Sequence, residues 1–147
     1  MSKKATAILL TFTLNSFASY CCAQNTPLLE YVAQYEASAN GLAATATRSL
    51  SKIDESSYRL SNSLEASIAG QALANLEQAS EFLIDGKRVV PLHYSSQLSG
   101  VSRASHAIFF NWGTEVALST EGNESWQLQL KEGVMDQLSY QVSIRQA

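Results

Sequence analysis

The sequence predicts a mainly β protein: an antiparallel meander forming a curved open sheet or half-barrel, with one C-terminal α-helix. Three observations carry that expectation. Apolar residues recur with period two over most of the chain, the spacing of strands with one buried face. Tight turn signals such as Asn40-Gly41 and Asp85-Gly86 separate these runs, and strands joined by two-residue turns must be antiparallel neighbours. Only the last stretch, beyond Gly133, changes to helical spacing.

The chain opens with "MSKKATAILLTFTLNSFASYCCAQ". Lys3 and Lys4, an apolar run from Ala5 to Leu14 and then small residues follow the order of a secretory signal peptide. The run breaks at Asn15, short of the roughly 20 apolar residues a spanning helix needs, so no transmembrane span is expected. Cys21 and Ala23 suit the −3 and −1 positions of a cleavage between Ala23 and Gln24. The adjacent Cys21 and Cys22 raise a lipoprotein alternative, but Tyr20 or Cys21 stands where a small residue should precede the acylated cysteine. The expected organisation is therefore a signal peptide over 1–23 and a single β-rich domain over 24–147, located in the periplasm. Cleavage removes both cysteines of the chain and with them any disulfide framework, thiol nucleophile or zinc–thiolate site.

Strand patterns follow in order. "EYVAQYEAS" and "LAATATRSLSKI" flank Asn40-Gly41. In "SSYRLSNSLEASI", Tyr58, Leu60, Leu64, Ala66 and Ile68 share one side, with Asn62 the polar exception, while Arg59, Ser61, Ser63, Glu65 and Ser67 share the other. "ALANLEQASEFLI" groups Ala72, Ala74, Leu76, Phe82 and Ile84. After Asp85-Gly86, Val89, Val90, Leu92 and Tyr94 can form a strand that Pro91 bends or starts, with Leu92 and Tyr94 on one face and His93 on the other beside Pro91 and Ser95. Pro91 has no N–H for a ladder, which assigns it to an edge, a strand start or a bulge. "SHAIFFNW" aligns His106, Ile108, Phe110 and Trp112, and "SWQLQL" aligns Trp126, Leu128 and Leu130. With turns near Gly113 and Gly122-Asn123, the count comes to about eight strands. Met135, Leu138, Val142 and Arg145 then predict a helix from Met135 to Gln146, starting near Gly133 or Asp136. The chain stops inside that helix, so the domain is expected to be incomplete at its C-terminus.

Charge and motif spacing argue against several chemistries. Removal of Lys3 and Lys4 takes the formal net charge from −3 to −5. With no basic stripe, nucleic acid is not an expected partner. His93 and His106 lie on separate strands with no serine in a nucleophile elbow, so no catalytic residues are assigned. No spacing of His, Asp or Glu suits a metal, and no glycine-rich loop opens a helix to hold a phosphate. The expectation is no catalysis, no metal and no cofactor. What remains is the apolar face. Tyr58, Leu60, Leu64, Leu76, Phe82, Leu92, Tyr94, Phe110 and Trp112 are its candidate ligand-binding residues; the alternative is that they are simply core.

In their order, "YEASANGLAATATRSL", "SYRLSNSLEASIAG", "ASEFLIDGKRVVPLHYSSQLSG", "AIFFNW" and "GVMDQLSY" resemble the exported bacterial family called domain of unknown function 3108. The resemblance runs from about Tyr35 to Gln146. Its most telling pieces are the Gly86…Pro91…Tyr94 spacing, Phe110-x-Trp112 and Asp136-Gln137-Leu138-Ser139. That family has no assigned activity, and its members continue past the helix into further strands. It is similar, more loosely, to half-barrels that carry lipoproteins across the periplasm. Secretion, the loss of both cysteines, the lack of a catalytic constellation and an apolar face rich in aromatics together lead to the expectation of a non-enzymatic periplasmic protein holding a lipid-like ligand or an envelope protein on the concave sheet face. A structural or interaction module with a filled core is the alternative.

Overall fold

The structure, a computed structural model, describes residues 28–146. The expected signal segment, Cys21, Cys22 and the Ala23–Gln24 junction lie outside the described residues. Eight strands run β1 (Tyr31–Ala39), β2 (Leu42–Lys52), β3 (Ser57–Ile68), β4 (Gln71–Asp85), β5 (Arg88–Gly100), β6 (Ala104–Asn111), β7 (Val116–Glu121) and β8 (Glu124–Gln129), followed by α1 (Ser139–Gln146). Each strand pairs antiparallel with the next, giving one open sheet in the order β1 to β8. The sheet does not close, so β1 and β8 are both edges.

The turns follow from backbone sterics. Asn40 and Gly41 have φ of 52° and 81°, both left-handed, as a type I′ hairpin turn requires. Ala69 and Gly70 repeat that geometry with φ of 50° and 80°, although alanine gains nothing locally to offset its Cβ strain. Asp85 proves to be the last residue of β4, paired with Arg88. The β4–β5 turn is Gly86-Lys87, with the positive φ on Gly86, so the turn lies one residue later than expected.

Residues paired across strands share a face, and the pairings define a helix-bearing face and a far face. One row on the helix-bearing face reads Tyr31, Leu50, Leu60, Ser80, Tyr94, Ile108, Ser119 and Trp126 from β1 to β8. Its neighbour toward one end contains Tyr58, Phe82 and Pro91. Helix α1 lies over β4 and β5. Leu138 and Val142 close the core formed by Leu50, Tyr58, Leu60, Phe82, Val89, Tyr94, Phe110, Ala117 and Leu130.

A β-bulge corrects the expected phase of β5. Glu81 pairs with His93 and Phe82 with Pro91, leaving Leu92 without a partner on β4. One extra residue reverses the alternation, so Pro91 points into the core with Tyr94 rather than lying beside His93. Pro91 is fully buried, and its carbonyl accepts a 2.7 Å hydrogen bond from Trp112 Nε1. Trp112 itself sits in the β6–β7 loop, stacked on Phe110 at 6.4 Å. Those contacts give Pro91, Phe110 and Trp112 a common structural role.

The helix is shorter than its periodicity suggests. It begins at Ser139 rather than near Met135 because Asp136 is its cap. Asp136 Oδ1 accepts from the backbone N–H of Leu138 and Ser139 at 2.8 and 2.9 Å. Ser139 Oγ accepts from Asp136 N at 3.0 Å, completing a reciprocal capping arrangement. Ser80 Oγ of β4 donates to Asp136 Oδ2 at 2.8 Å, fixing the cap to the sheet. Ser80, Asp136 and Ser139 are all buried.

Candidate functional site

Eight of the nine nominated residues lie along β3 to β6, with Trp112 following in the β6–β7 loop, and the helix then divides them. Tyr58, Leu60, Phe82, Tyr94 and Phe110 are buried in the core. Trp112 is partly buried against it, and Leu92 is the half-buried bulge residue. Leu64 and Leu76 pair with each other on the same face, beyond the helix. Leu64 is 41% exposed.

That uncovered half has its own composition. A polar row separates it from the core: Arg48, Asn62, Gln78, Ser96 and His106 are paired in turn from β2 to β6. Next comes Tyr35, Ala46, Leu64, Leu76, Leu98 and Ala104. Beyond it lie Ala44, Ala66 and Ala74, and then Leu42 with Ile68. Tyr35, Leu42 and Ile68 are exposed by 58%, 45% and 46%. The register puts Glu36, Glu65, Glu77 and Glu81 all on the far face. Across β1 to β5 the helix-bearing face carries Arg48 and Lys52 but no carboxylate.

The polar row is hydrogen-bonded into the helix end. Arg48 donates from Nε to Tyr31 Oη at 2.9 Å, and from Nη1 to Asn62 Oδ1 at 3.2 Å and Gln141 Oε1 at 2.8 Å. Gln78 Nε2 donates to Tyr94 Oη at 3.0 Å, which donates in turn to Gln137 Oε1 at 3.3 Å. Arg145 of α1 lies 5.5 Å from the centre of the Tyr31 ring, within cation–π range. His106 Nε2 meets Ser119 Oγ at 3.1 Å. His93 lies on the far face against Phe109, ring centres 5.8 Å apart, so the two histidines face opposite ways. Arg48 was legible in "LAATATRSLSK", where it falls in phase with Leu42, Ala44, Ala46 and Leu50; a cation among apolar positions is the signal the apolar-face reading passed over.

Cavities among the described residues include the following three. One of about 410 Å³ borders the far face, lined by small polar groups including Ser61, Ser95 and Thr120. Another of about 500 Å³ lies around the β5–β6 connection. The largest of these three, about 870 Å³, opens between the β4–β5 turn and residues 130–135, with Val89, Trp112, Leu130 and Val134 in its wall. Trp112 is the one nominated residue that lines any of these three cavities. No group of three or more His, Cys, Asp or Glu among the described residues is placed to hold a metal. No helix among the described residues is long and apolar enough to cross a membrane. No family model, curated protein or solved structure matches this chain.

Proposed function

We propose that this chain is an exported, periplasmic and non-enzymatic protein of the domain of unknown function 3108 type, which holds an apolar, lipid-like ligand on its helix-bearing sheet face. The observation that carries the reading is the uncovered aliphatic half of that face. It leaves Tyr35, Leu42, Leu64 and Ile68 exposed on one continuous, carboxylate-free surface. A soluble domain ordinarily keeps such surface small unless something binds there. Burial of apolar area would drive binding at roughly 25 cal/mol per Å². The site consists of Leu64 and Leu76, with Leu98 beside them; the aromatic residues nominated with them form the packed floor under the helix.

Native mass spectrometry tests the reading. The mature chain, purified from the periplasm with its own signal segment cleaved, should carry a reproducible adduct of lipid-like mass, and Leu64→Asp should lose it. A compact, adduct-free protein would refute ligand carriage.

A structural or interaction module is the second reading, favoured by the filled aromatic core and by β8. That edge strand is exposed at all six positions, Trp126 and Leu128 included, and offers unpaired backbone groups for strand addition.

A further inference from the structure

Arg48 is a cation without an anion. It forms no ion pair among the described residues, and its three hydrogen bonds all go to neutral acceptors. They come from Nε and Nη1, so Nη2 has no protein acceptor among those residues, although a guanidinium offers five N–H donors. The nearby acids are engaged elsewhere. Asp136 caps α1 and accepts from Ser80, and Glu30 accepts from the backbone of Lys52 at 2.7 Å. Arg145, in the last turn of α1 and over the Tyr31 ring, adds a second positive charge beside the side chain to which Arg48 donates. A half-buried guanidinium fixed by neutral partners is a ready site for a carboxylate or phosphate, which it binds in charge-assisted fashion.

Beside that cation the aliphatic rows begin. Neighbouring strands are about 4.8 Å apart, so the row from Ala46, beside Arg48 on β2, through Leu64 and Leu76 to Leu98 on β5 runs for roughly 14 Å across the sheet. We infer that this half of the face is a site for an anionic amphiphile, with its carboxylate or phosphate head on Arg48 and its alkyl chain along Leu64, Leu76 and Leu98. The inference rests on the ligand-carrying reading above and adds to it the head-group charge and the direction in which the ligand lies. The polar row of Asn62, Gln78 and Ser96 runs alongside that chain, between it and the core.

The test uses two fluorescent probes, cis-parinaric acid and its uncharged methyl ester, titrated into the mature chain below their aggregation concentrations. The acid should bind saturably and about tenfold more tightly than the ester. Arg48→Gln, which can keep hydrogen bonds while losing the charge, should bring the acid to the ester's affinity and leave the ester unchanged. Leu64→Asp, at an exposed position, should abolish both. Equal binding of acid and ester, unaffected by Arg48→Gln, would overturn the inference and leave ligand carriage standing. Equal weakening of both probes by Arg48→Gln would assign Arg48 a purely structural role and overturn it as well. Saturable binding of neither probe would refute both. Should Arg48→Gln fail to fold by circular dichroism, Arg48→Lys and salt take its place: the lysine variant should retain the preference for acid, and added salt should weaken the acid alone. Loss of the preference in the lysine variant together with a salt-insensitive acid would overturn the inference. Inorganic phosphate displacing the acid completely at millimolar concentration would show a free-anion site, also against the amphiphile.

Discussion

Replacement of Asp136 by alanine should be the most damaging single polar truncation among the described residues, and the structure gives its size. The change removes the acceptor for two helix-terminal N–H groups, at 2.8 and 2.9 Å, and a lost cap costs about 0.5–2 kcal/mol. It also leaves the fully buried Ser80 hydroxyl without its 2.8 Å acceptor, worth about 1–3 kcal/mol. The expected total is about 3 kcal/mol, a large share of the 5–15 kcal/mol that holds a typical domain together. Urea unfolding followed by circular dichroism and tryptophan fluorescence measures it. At a slope of about 2 kcal/mol per molar, the midpoint should fall by about 1.5 M. Ser80→Ala alone should cost about 1.5 kcal/mol. Because both truncations break one bond, the double variant should fall short of their sum by about 1 kcal/mol. Strict additivity, or an Asp136→Ala cost below about 0.5 kcal/mol, would refute the idea that this cap holds the helix to the sheet.

Backbone geometry and charge give three further outcomes. Ala69→Asn places a residue that tolerates left-handed backbone at φ 50°, and thermal unfolding should show a gain of about 0.5–1 kcal/mol. Gly100→Ala should destabilise by about 2–4 kcal/mol in the same assay, since φ is 116° and a Cβ there would stand 2.2 Å from the carbonyl oxygen of Leu73. Hydrogen bonds from the Ser56 backbone first, then from Ser57, hold the Asp54 carboxyl below its ordinary value of 3.8. A depressed folded-state value makes this contribution complete above the unfolded-state value and lost as pH falls through the folded one. Asp54→Ala should therefore flatten the acid limb of the stability–pH profile and leave its alkaline limb unchanged.

The eight-stranded meander was legible because period two and Asn-Gly punctuation are local signals, written into neighbouring residues. Ala69-Gly70 was harder to read: its geometry matches Asn40-Gly41, but its first residue has no side-chain preference for that conformation. The bulge at Leu92 was hidden for a different reason. Val90, Leu92 and Tyr94 alternate without a flaw in sequence, and the slip exists only in the pairing with Glu81 and Phe82. Pro91 was the one local hint. The candidate site divides along similar lines. Alternation identifies which side chains share a face, but which of them the helix covers depends on a contact between Ser80 and Asp136, 56 residues apart. Tyr94 and Leu64 read alike in sequence, and only that docking makes one core and the other surface.

The consecutive order of the strands also bears on how the chain comes to be folded. Every pair in the sheet joins neighbours along the chain, so the hairpins can zip one onto the next with short loop closures and little entropic delay. The helix is the exception, since it must return from β8 past β7, β6 and β5 to reach β4. As the chain emerges N-terminus first, Tyr58, Phe82 and Tyr94 stand ready on a half-built sheet before Leu138 and Val142 arrive to cover them. The unfinished protein therefore shows water a broad aromatic surface that the finished one hides, and that interval is when it is most exposed to aggregation and most in need of a chaperone.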